Sequence, residues 1–247
     1  MASKLKSAVA LLAGCAMLGA CNLIGSDDVL IVEDSTSGEG WSAQWSGEPF
    51  DTILLAGPDN LIFVAGGDHA VKASGDAKAV EALQYKVTDG ELRIRRKSST
   101  WNMGSKGEAT IAVNAPALRG LTLAGSGAAK VDRMQGDAAK LTIAGSGNAD
   151  IAELVTKDLK GSIAGSGSIK LAGSADTSDI TIAGSGSVSG AGFTSKSIDI
   201  SIAGSGDIIM ASDGKVDARL MGSGDVTIKG KASCKSKAMG SGTITCG

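Results

Sequence analysis

From Leu121 to the C-terminus, apolar and polar positions alternate along the chain, and Gly-Ser-Gly interrupts the alternation at regular intervals. Apolar side chains recur two and four residues before most copies, and again four and six residues after their first glycine. Such alternation is typical of β-strands, in which successive side chains point to opposite faces. The copies are 18 to 20 residues apart and begin at Gly125, Gly145, Gly165, Gly184, Gly204, Gly222 and Gly240. Each repeat is therefore predicted to be a strand, a glycine corner, a second strand and a return path.

The repeat length predicts the fold class. A period near 20 residues indicates a stacked array, because a single repeat of this size cannot bury its own apolar side. Stacking predicts an all-β fold, a single-stranded parallel β-solenoid with the right-handed coil that parallel crossovers prefer. Glycine suits the corners because it adopts positive φ values without steric cost. The motif does not fit a phosphate-binding loop, since no lysine follows at P-loop spacing and no helix is predicted after the turn.

The chain before the repeats has strand-like patterns that are less regular. Residues 77–86 place apolar side chains at helical spacing, which predicts one short helix. The pair Asp89-Gly90 between two alternating runs predicts a β-hairpin. The β-solenoid is thus expected to span 49–247, with irregular coils and a cap over 49–120 and regular repeats afterwards.

Residues 1–20 are predicted to be a signal peptide. Lys4 and Lys6 precede a short apolar run that is too brief to span a bilayer. Two stretches, LAGC ending at Cys15 and LGAC ending at Cys21, resemble the bacterial lipobox, in which a cysteine is diacylated and becomes the mature N-terminus. The second leaves a fuller apolar region, so Cys21 is the favoured lipidation site. Cys15, or a secretory signal without lipidation, is the alternative.

Residues 21–48 are then predicted to be a lipid-anchored tether. The anchor predicts a location in the bacterial cell envelope, in the periplasm or at the outer membrane, or secretion if the lipobox is not used. Trp41 and Trp45 lie in this stretch of low hydrophobicity. They are predicted to pack over the open N-terminal end of the solenoid, with sugar stacking as the alternative.

Composition excludes two modes of binding. Lys and Arg total 24 against 26 Asp and Glu, a balance that provides no field for nucleic acid or an anionic membrane. Aromatic residues make up only 3% of the chain, so the interior must be built from Ile, Leu, Val and Ala. Phe193 is the one aromatic residue after Trp101, so the repeats cannot bind sugars by ring stacking.

The repeats carry no recognisable catalytic constellation. A glycosidase-type or metal-dependent site needs clustered carboxylates, bases or metal ligands, whereas the outward positions after the corners carry scattered charge. His69, the single histidine, is predicted to be a surface turn residue, so no Ser-His-Asp set can form. Asp207 and Asp225 follow Gly-Ser-Gly as in calcium-binding β-rolls, but those require an acid within a nine-residue repeat. The sequence predicts no enzyme activity, cofactor or metal site.

Cys234 and Cys246 are predicted to form a disulfide. They stand six residues before and six after Gly240, both at inward positions of the last repeat. An exported protein meets an oxidising compartment, in which such a pair forms readily. The bond would close the last coil, whose backbone edge is otherwise open to aggregation. Two buried free thiols are the alternative.

Several motifs together resemble the bacterial head GIN domain family, which carries the label "putative auto-transporter adhesin". The resemblance covers residues 49–247 and rests on the order FDTILLAG, PDNLIFVAGGDHAVKASGD, VTDGELRIRRK, ATIAVNAPALRGLTLAGSG and the repeated Gly-Ser-Gly coils. It implies a secreted or lipid-anchored β-solenoid.

The function expected from these features is a non-catalytic envelope protein that offers a structural or adhesin-like binding surface. Its partners would be a membrane, through the N-terminal lipid anchor, and an unidentified envelope polysaccharide or protein. The alternative is a carbohydrate-binding or carbohydrate-active β-helix that uses the tryptophan-containing N-terminal part. That alternative requires a groove joining a tryptophan to carboxylates, for which the candidates are Glu39, Asp68 and Glu108.

Overall fold

The structure, a computed structural model, describes residues 40–97 and 107–247. The predicted signal peptide, both candidate lipidation cysteines, Glu39 and Trp101 lie outside these ranges. The described residues form a parallel β-solenoid of about six turns, with one short helix, as the repeats predict. No helix in these two ranges is long and apolar enough to cross a membrane.

The N-terminal cap contains β1 (Thr52–Gly57), β2 (Asn60–Ala65), β3 (Ala70–Gly75), α1 (Ala77–Ala82), β4 (Leu83–Thr88), β5 (Glu91–Arg96) and β6 (Ala109–Ala115). The regular coils contain β7 (Gly120–Gly125), β8 (Ala128–Gly145), β9 (Asn148–Gly165), β10 (Ser168–Gly184), β11 (Ser187–Gly204), β12 (Asp207–Ala211), β13 (Lys215–Gly222), β14 (Asp225–Lys229), β15 (Ser233–Gly240) and β16 (Thr243–Cys246). The longest strands run around corners of the solenoid, so one strand supplies most of one coil.

Strand β9 illustrates how one repeat encloses the core. Its buried positions fall in three alternating runs, separated by two exposed pairs at residues 152–153 and 157–158. Two consecutive exposed residues reverse the phase of the alternation, so the chain turns a corner at each pair. With the Gly-Ser-Gly corner, the coil therefore has three faces. We call them the first face (residues 148–151 in β9), the second face (153–156) and the third face (158–164).

Equivalent residues of successive coils stack in register. Ile143 pairs with Ile163, which pairs with Ile182, and each is at most 1% exposed. Burial of an Ile or Leu side chain contributes about 1.5–3 kcal/mol. The repeated columns of Ile, Leu, Val and Ala thus form one continuous core, to which each coil contributes through its neighbours.

The two glycines of each corner are required for different reasons. Gly184, a first glycine, has φ 128°, and a Cβ there would lie 2.3 Å from the carbonyl oxygen of Gly165 in the preceding coil. Gly186, a second glycine, does not have a φ in the positive region. A Cβ there would nevertheless lie 2.5 Å from Cγ2 of Ile163. The corner therefore combines a left-handed backbone with close approach of stacked coils.

The cap departs from simple sequential stacking. β1 pairs in parallel with β7 on one side and with β5 on the other, and β2 likewise lies between β8 and β6. The coil made by β5 and β6 therefore lies outside the coil made by β1 and β2, although it comes later in the chain. β4 and β3 then pair antiparallel with β5 and β6 and cover the outer edges.

The short helix is present, but the predicted range 77–86 is wrong at its C-terminal end. Asp76 caps the helix by accepting the Ala79 N–H at 3.0 Å, and the helix ends at Ala82. The following residues form β4, which pairs with β5 across the predicted hairpin turn. Leu83 and Tyr85 are both buried there, so strand pairing places them in the core and overrides the helical spacing.

The coils shorten towards the C-terminus because the second face is lost. β12 ends at Ala211, which pairs with Thr194, and a turn over residues 212–214 leads directly into β13 on the third face. Phe193, an inward residue of the second face in β11, is fully buried beside Gly173 of the preceding coil. The one aromatic side chain of the repeats is thus part of the core.

Candidate binding surfaces

A groove of about 570 Å³ lies on the outside of the second face. It extends across β9, β10, β11 and the turn that follows β12. Exposed hydroxyl groups of Ser174 and Thr194 line it, together with Val155, whose side chain is 47% exposed. The surface combines polar and apolar groups and contains no aromatic ring; its full lining is Val155, Thr156, Ser174, Ala175, Asp176, Thr194, Ser195, Lys196, Asp213 and Gly214.

Buried hydroxyl groups hold the backbone at the edge of this groove. The Oγ1 of Thr156 donates to the carbonyl oxygen of Asp158 at 3.1 Å, and the Oγ of Ser195 donates to that of Ser197 at 2.9 Å. Each hydroxyl satisfies a carbonyl group two residues further along, so these coils turn from the second to the third face without a Gly-Ser-Gly motif.

Charges of alternating sign form a column, of which Asp176, Lys196 and Asp213 lie at the rim of the groove. Four members stack at one position of successive coils: Asp137, Lys157, Asp176 and Lys196. Asp213 and Lys231 continue the alternation in the next two coils, one residue earlier in the register. Nζ of Lys157 lies 2.8 Å from Oδ1 of Asp137, and Nζ of Lys196 lies 2.7 Å from Oδ1 of Asp176. Hydrogen bonding to Asp137 raises the pKa of Lys157 and lowers that of Asp137. These contacts favour stacking in register, since a shift by one coil would place like charges together.

Sequence reasoning missed this column. Its members are 17 to 20 residues apart and no motif marks them, because hydroxyl groups rather than glycines make the corner. The available signal was the alternation of sign at one position of four successive repeats, from Asp137 to Lys196.

The outer surface of the third face carries two parallel columns. One is mainly Thr and Ser and ends with Arg219 and Lys237, and the other is Ala and ends with Met221 and Met239. Met221 and Met239 are each 55% exposed and pair with one another across β13 and β15. The outward side chains of this face are therefore small and uncharged along most of its length, and basic or large and apolar at the C-terminal end.

Cys234 and Cys246 form a disulfide, with Cα atoms 6.5 Å apart. This is the pair that the sequence predicts. Both side chains pack against the core from the last coil, where they are only partly buried. The bond joins β15 to β16, which pair with β13 and β14 of the preceding coil.

The tryptophans that the structure describes make contacts within the cap. Trp45 packs against the core, edge to face with Phe50 at 6.1 Å, and its indole N–H donates to the Glu48 carbonyl oxygen. The guanidinium of Arg95 lies 3.9 Å from the ring centroid of Trp41. Between them, Ser42 forms an antiparallel bridge with Tyr85 of β4. Both tryptophan rings thus pack against residues of the N-terminal cap, as the sequence predicts.

Two of the remaining sequence candidates, His69 and Glu108, have structural partners. Nε2 of His69 lies 2.8 Å from the carbonyl oxygen of Phe50, and the ring packs edge to face against Phe50 at 4.9 Å. Glu108 accepts a hydrogen bond from Asn60, and Asp68 is exposed.

Asp207 and Asp225 bond to the next coil instead of facing a common ligand. Oδ1 of Asp207 accepts the backbone N–H of Asp225 at 2.9 Å. Oδ1 of Asp225 accepts the backbone N–H of Thr243 at 3.0 Å and its hydroxyl at 2.5 Å. These bonds hold the pKa of Asp225 below its ordinary value. Within residues 40–97 and 107–247, no cluster of three or more His, Cys, Asp or Glu side chains could hold a metal ion.

The fold defines the chain as a parallel β-solenoid, and its sequence matches a known family. Residues 49–232 match the family described as "Putative auto-transporter adhesin, head GIN domain". The chain belongs to this family. No curated protein matches it in sequence.

Solved structures share the fold. A putative adhesin from Bacteroides fragilis superposes with a TM-score of 0.71 at 23% identity, covering 82% of this chain and 94% of that one. A putative lipid binding protein from Parabacteroides distasonis has a TM-score of 0.62 at 23% identity, covering 81% and 93%. A putative adhesin from Parabacteroides merdae has a TM-score of 0.57 at 19% identity, covering 81% and 92%.

Proposed function

We propose that the chain is a non-catalytic protein of the bacterial envelope, exported and anchored by lipid at Cys21. Its solenoid binds an extended, hydroxyl-rich polymer such as an envelope polysaccharide in the second-face groove. The observation that carries this proposal is the groove itself, which follows the stacking direction over several coils. Membership of an adhesin family supports a binding role at or beyond the envelope.

The chemistry of the groove supports a polar, uncharged polymer as its ligand. The hydroxyls of Ser174 and Thr194 can donate and accept hydrogen bonds, and coil stacking repeats them about every 4.8 Å. The rim charges of Asp176 and Lys196 neutralise one another, so the groove has little preference for a cation or an anion. The lack of a ring in its lining excludes ring stacking as the source of affinity.

A pair of substitutions tests the groove. Ser174→Arg with Thr194→Arg places two bulky side chains in it at exposed positions, which leaves the core untouched. We expect the full chain to bind particular glycans on an array and the variant to bind them at least about tenfold more weakly. The matched control is Thr181→Arg with Ser201→Arg, at exposed hydroxyls on the third face of the same two strands. Equal binding by both variants would exclude the groove.

The anchor is tested separately. Cys21→Ala should release the protein from the membrane fraction into the soluble fraction, because the diacylated residue is lost. Cys15→Ala should leave it membrane-bound and is the matched control. Mass spectrometry of the native protein should find acyl chains on Cys21, and an unmodified N-terminus would refute the anchor without affecting the groove.

A further inference from the structure

The C-terminal end of the third face combines cations with exposed methionines. On β13, Lys215, Arg219 and Met221 point outwards, and on the edge strand β15, Lys235, Lys237 and Met239 do so. Arg219 pairs in register with Lys237, and Met221 pairs with Met239. We call these six residues the terminal patch.

The terminal patch carries more cations than the carboxylates beside it. Asp217 is the single carboxylate at the outward positions of β13 and β15, and it forms a 3.0 Å ion pair with Arg219. Asp199 of the adjoining strand β11 pairs in register with Asp217 and is a second exposed carboxylate. Within the described part of the chain, the side chains of Lys215, Lys235 and Lys237 form no ion pair. Residues 226–247 contain four lysines and no acidic side chain, although the whole chain has a net charge of −2. Positive charge is therefore concentrated at this end.

Protection of a sheet edge explains only part of this arrangement. Lysines on an edge strand oppose strand addition by other chains, which accounts for Lys235 and Lys237. It does not account for Arg219 on the preceding strand, nor for two adjacent methionines that are each 55% exposed. Those methionines enlarge the apolar surface that protection of an edge should reduce. The family match ends at residue 232, before β15, so half of the patch lies beyond the matched residues.

We infer that the terminal patch docks on an anionic lipid surface. The lysines and Arg219 contact lipid phosphate groups, and the two methionines enter the boundary between headgroups and acyl chains. Cations beside exposed apolar side chains on one face are the pattern of proteins that bind membrane surfaces. A soluble polyanion would be attracted by the cations but would make no apolar contact with Met221 and Met239. This contact is separate from the anchor at Cys21 and from the groove, and it does not depend on either.

Vesicle flotation tests the inference with the full chain carrying Cys15→Ala and Cys21→Ala, so that no acyl anchor forms. We expect binding to vesicles of phosphatidylcholine with phosphatidylglycerol, and little binding to phosphatidylcholine alone. Raising the salt concentration from about 0.1 M to 1 M should weaken binding, because the Debye length falls from about 10 Å to 3 Å. All variants retain the same N-terminal segment, so differences between them report the patch.

Two variants separate the contributions of charge and apolar contact. Lys215→Gln with Lys235→Gln and Lys237→Gln should weaken binding at least about tenfold, since each lysine near such a surface contributes about fivefold. The matched control replaces three exposed lysines of other coils by Gln: Lys130, Lys160 and Lys170. Met221→Ser with Met239→Ser should also weaken binding while its salt dependence is retained.

Three outcomes would overturn the inference. One is binding to neutral and anionic vesicles that is equal in strength. Another is a triple Lys→Gln variant that binds as well as its control. The third is binding to dextran sulfate without binding to the anionic vesicles, which would assign the patch to soluble polyanions. Circular dichroism of each variant should match that of the parent, because all the substituted side chains are exposed.

Discussion

The Arg96 guanidinium lies against the Asp59 carboxylate inside the N-terminal cap, with Nε 2.8 Å from Oδ2. The two side chains are only 5% and 0% exposed. Asp59 also accepts the Ala109 N–H at 2.8 Å, and Arg96 donates to the Gly107 carbonyl oxygen at 2.7 Å. Hydrogen bonding to Asp59 raises the pKa of Arg96 above its ordinary value. The pair therefore joins β5 and β6 to the corner of the coil formed by β1 and β2.

This ion pair takes the place of a glycine corner. Gly57 aligns with Gly125, so Asp59 holds the position that Gly127 has in the next coil. Arg95 pairs with Ala56, so the next residue, Arg96, lies beside Gly57 on the side of β1 that faces away from β7. The stack of Gly-Ser-Gly corners thus ends at a buried charge pair.

Removing one member of the pair should be costly. Asp59→Ala leaves a buried guanidinium without its counter-ion, and we expect a loss of about 3–5 kcal/mol in the free energy of unfolding, measured by denaturant titration. Asp59→Leu with Arg96→Met should cost less than the single change, because no charge stays buried. Lys157→Gln, which breaks an exposed pair, is the control and should change stability little. If Asp59→Ala unfolds at the same denaturant concentration as the parent, the pair is not a structural element.

The corner glycines allow backbone strain to be separated from steric contact. Gly184→Ala meets both a φ of 128° and a carbonyl oxygen 2.3 Å from the new Cβ, whereas Gly66→Ala meets a φ of 113° in open space. We expect Gly66→Ala to cost about 1 kcal/mol and Gly184→Ala about 2–3 kcal/mol or more, because the coils must also separate. Thermal melts of the two variants check the order. Equal melting temperatures would mean that contact between stacked corners contributes nothing.

The regular coils could be predicted because their signals are local. A Gly-Ser-Gly copy and the alternation around it lie within about 12 residues, and stacking follows from repetition alone. Cys234 and Cys246 were predictable for the same reason, since each holds an inward position of a known repeat. The corner between the second and third faces carries no such sequence motif. Thr156 and Ser195 turn the chain there through hydrogen bonds to backbone carbonyls, which no short motif announces.

The arrangement of the cap could not be predicted, because its pairings are not local. β1 pairs with β5 and β7, and nothing within any of these strands specifies that β5 lies outside β1. Asp59 and Arg96 are 37 residues apart, so their contact depends on that arrangement. The same pairing extends the strand of the predicted hairpin back to Leu83, although the apolar spacing of residues 77–86 predicts a helix.

The carboxylate of Asp225 should titrate in a way that depends on Thr243. Hydrogen bonds from the Thr243 hydroxyl and N–H lower the pKa of Asp225 from its ordinary value of 3.8. A lowered folded pKa contributes stability above the unfolded pKa, and this contribution is lost as the pH falls through the folded pKa. Thr243→Val removes the hydroxyl and should move the pKa of Asp225 upwards towards 3.8 in a carboxyl-carbon NMR titration. Thr245→Val, on the same strand, should leave it unchanged, and an unchanged pKa in both variants would refute the assigned cause.

The disulfide should stabilise the last coil more than the rest of the solenoid. Cys234 and Cys246 are 12 residues apart, and closing a loop of this size contributes about 3 kcal/mol through the entropy of the unfolded chain. In a solenoid each coil contacts only its neighbours, so loss of the bond should first open the terminal strands. We expect Cys234→Ser with Cys246→Ser to accelerate amide hydrogen exchange from Val226 onwards.

The coils between Ile143 and Ile202 provide the internal control, because at least one intact coil separates them from the coil that carries Cys234. Their exchange rates should match those of the parent protein. Reduction of the parent with dithiothreitol should reproduce the exchange pattern of the double variant, since both remove the same bond. If exchange accelerated equally in every coil, the solenoid would unfold as one cooperative unit and the bond would have no local role at the C-terminal end. Two titratable thiols in the native protein, assayed without reductant, would refute the bond itself.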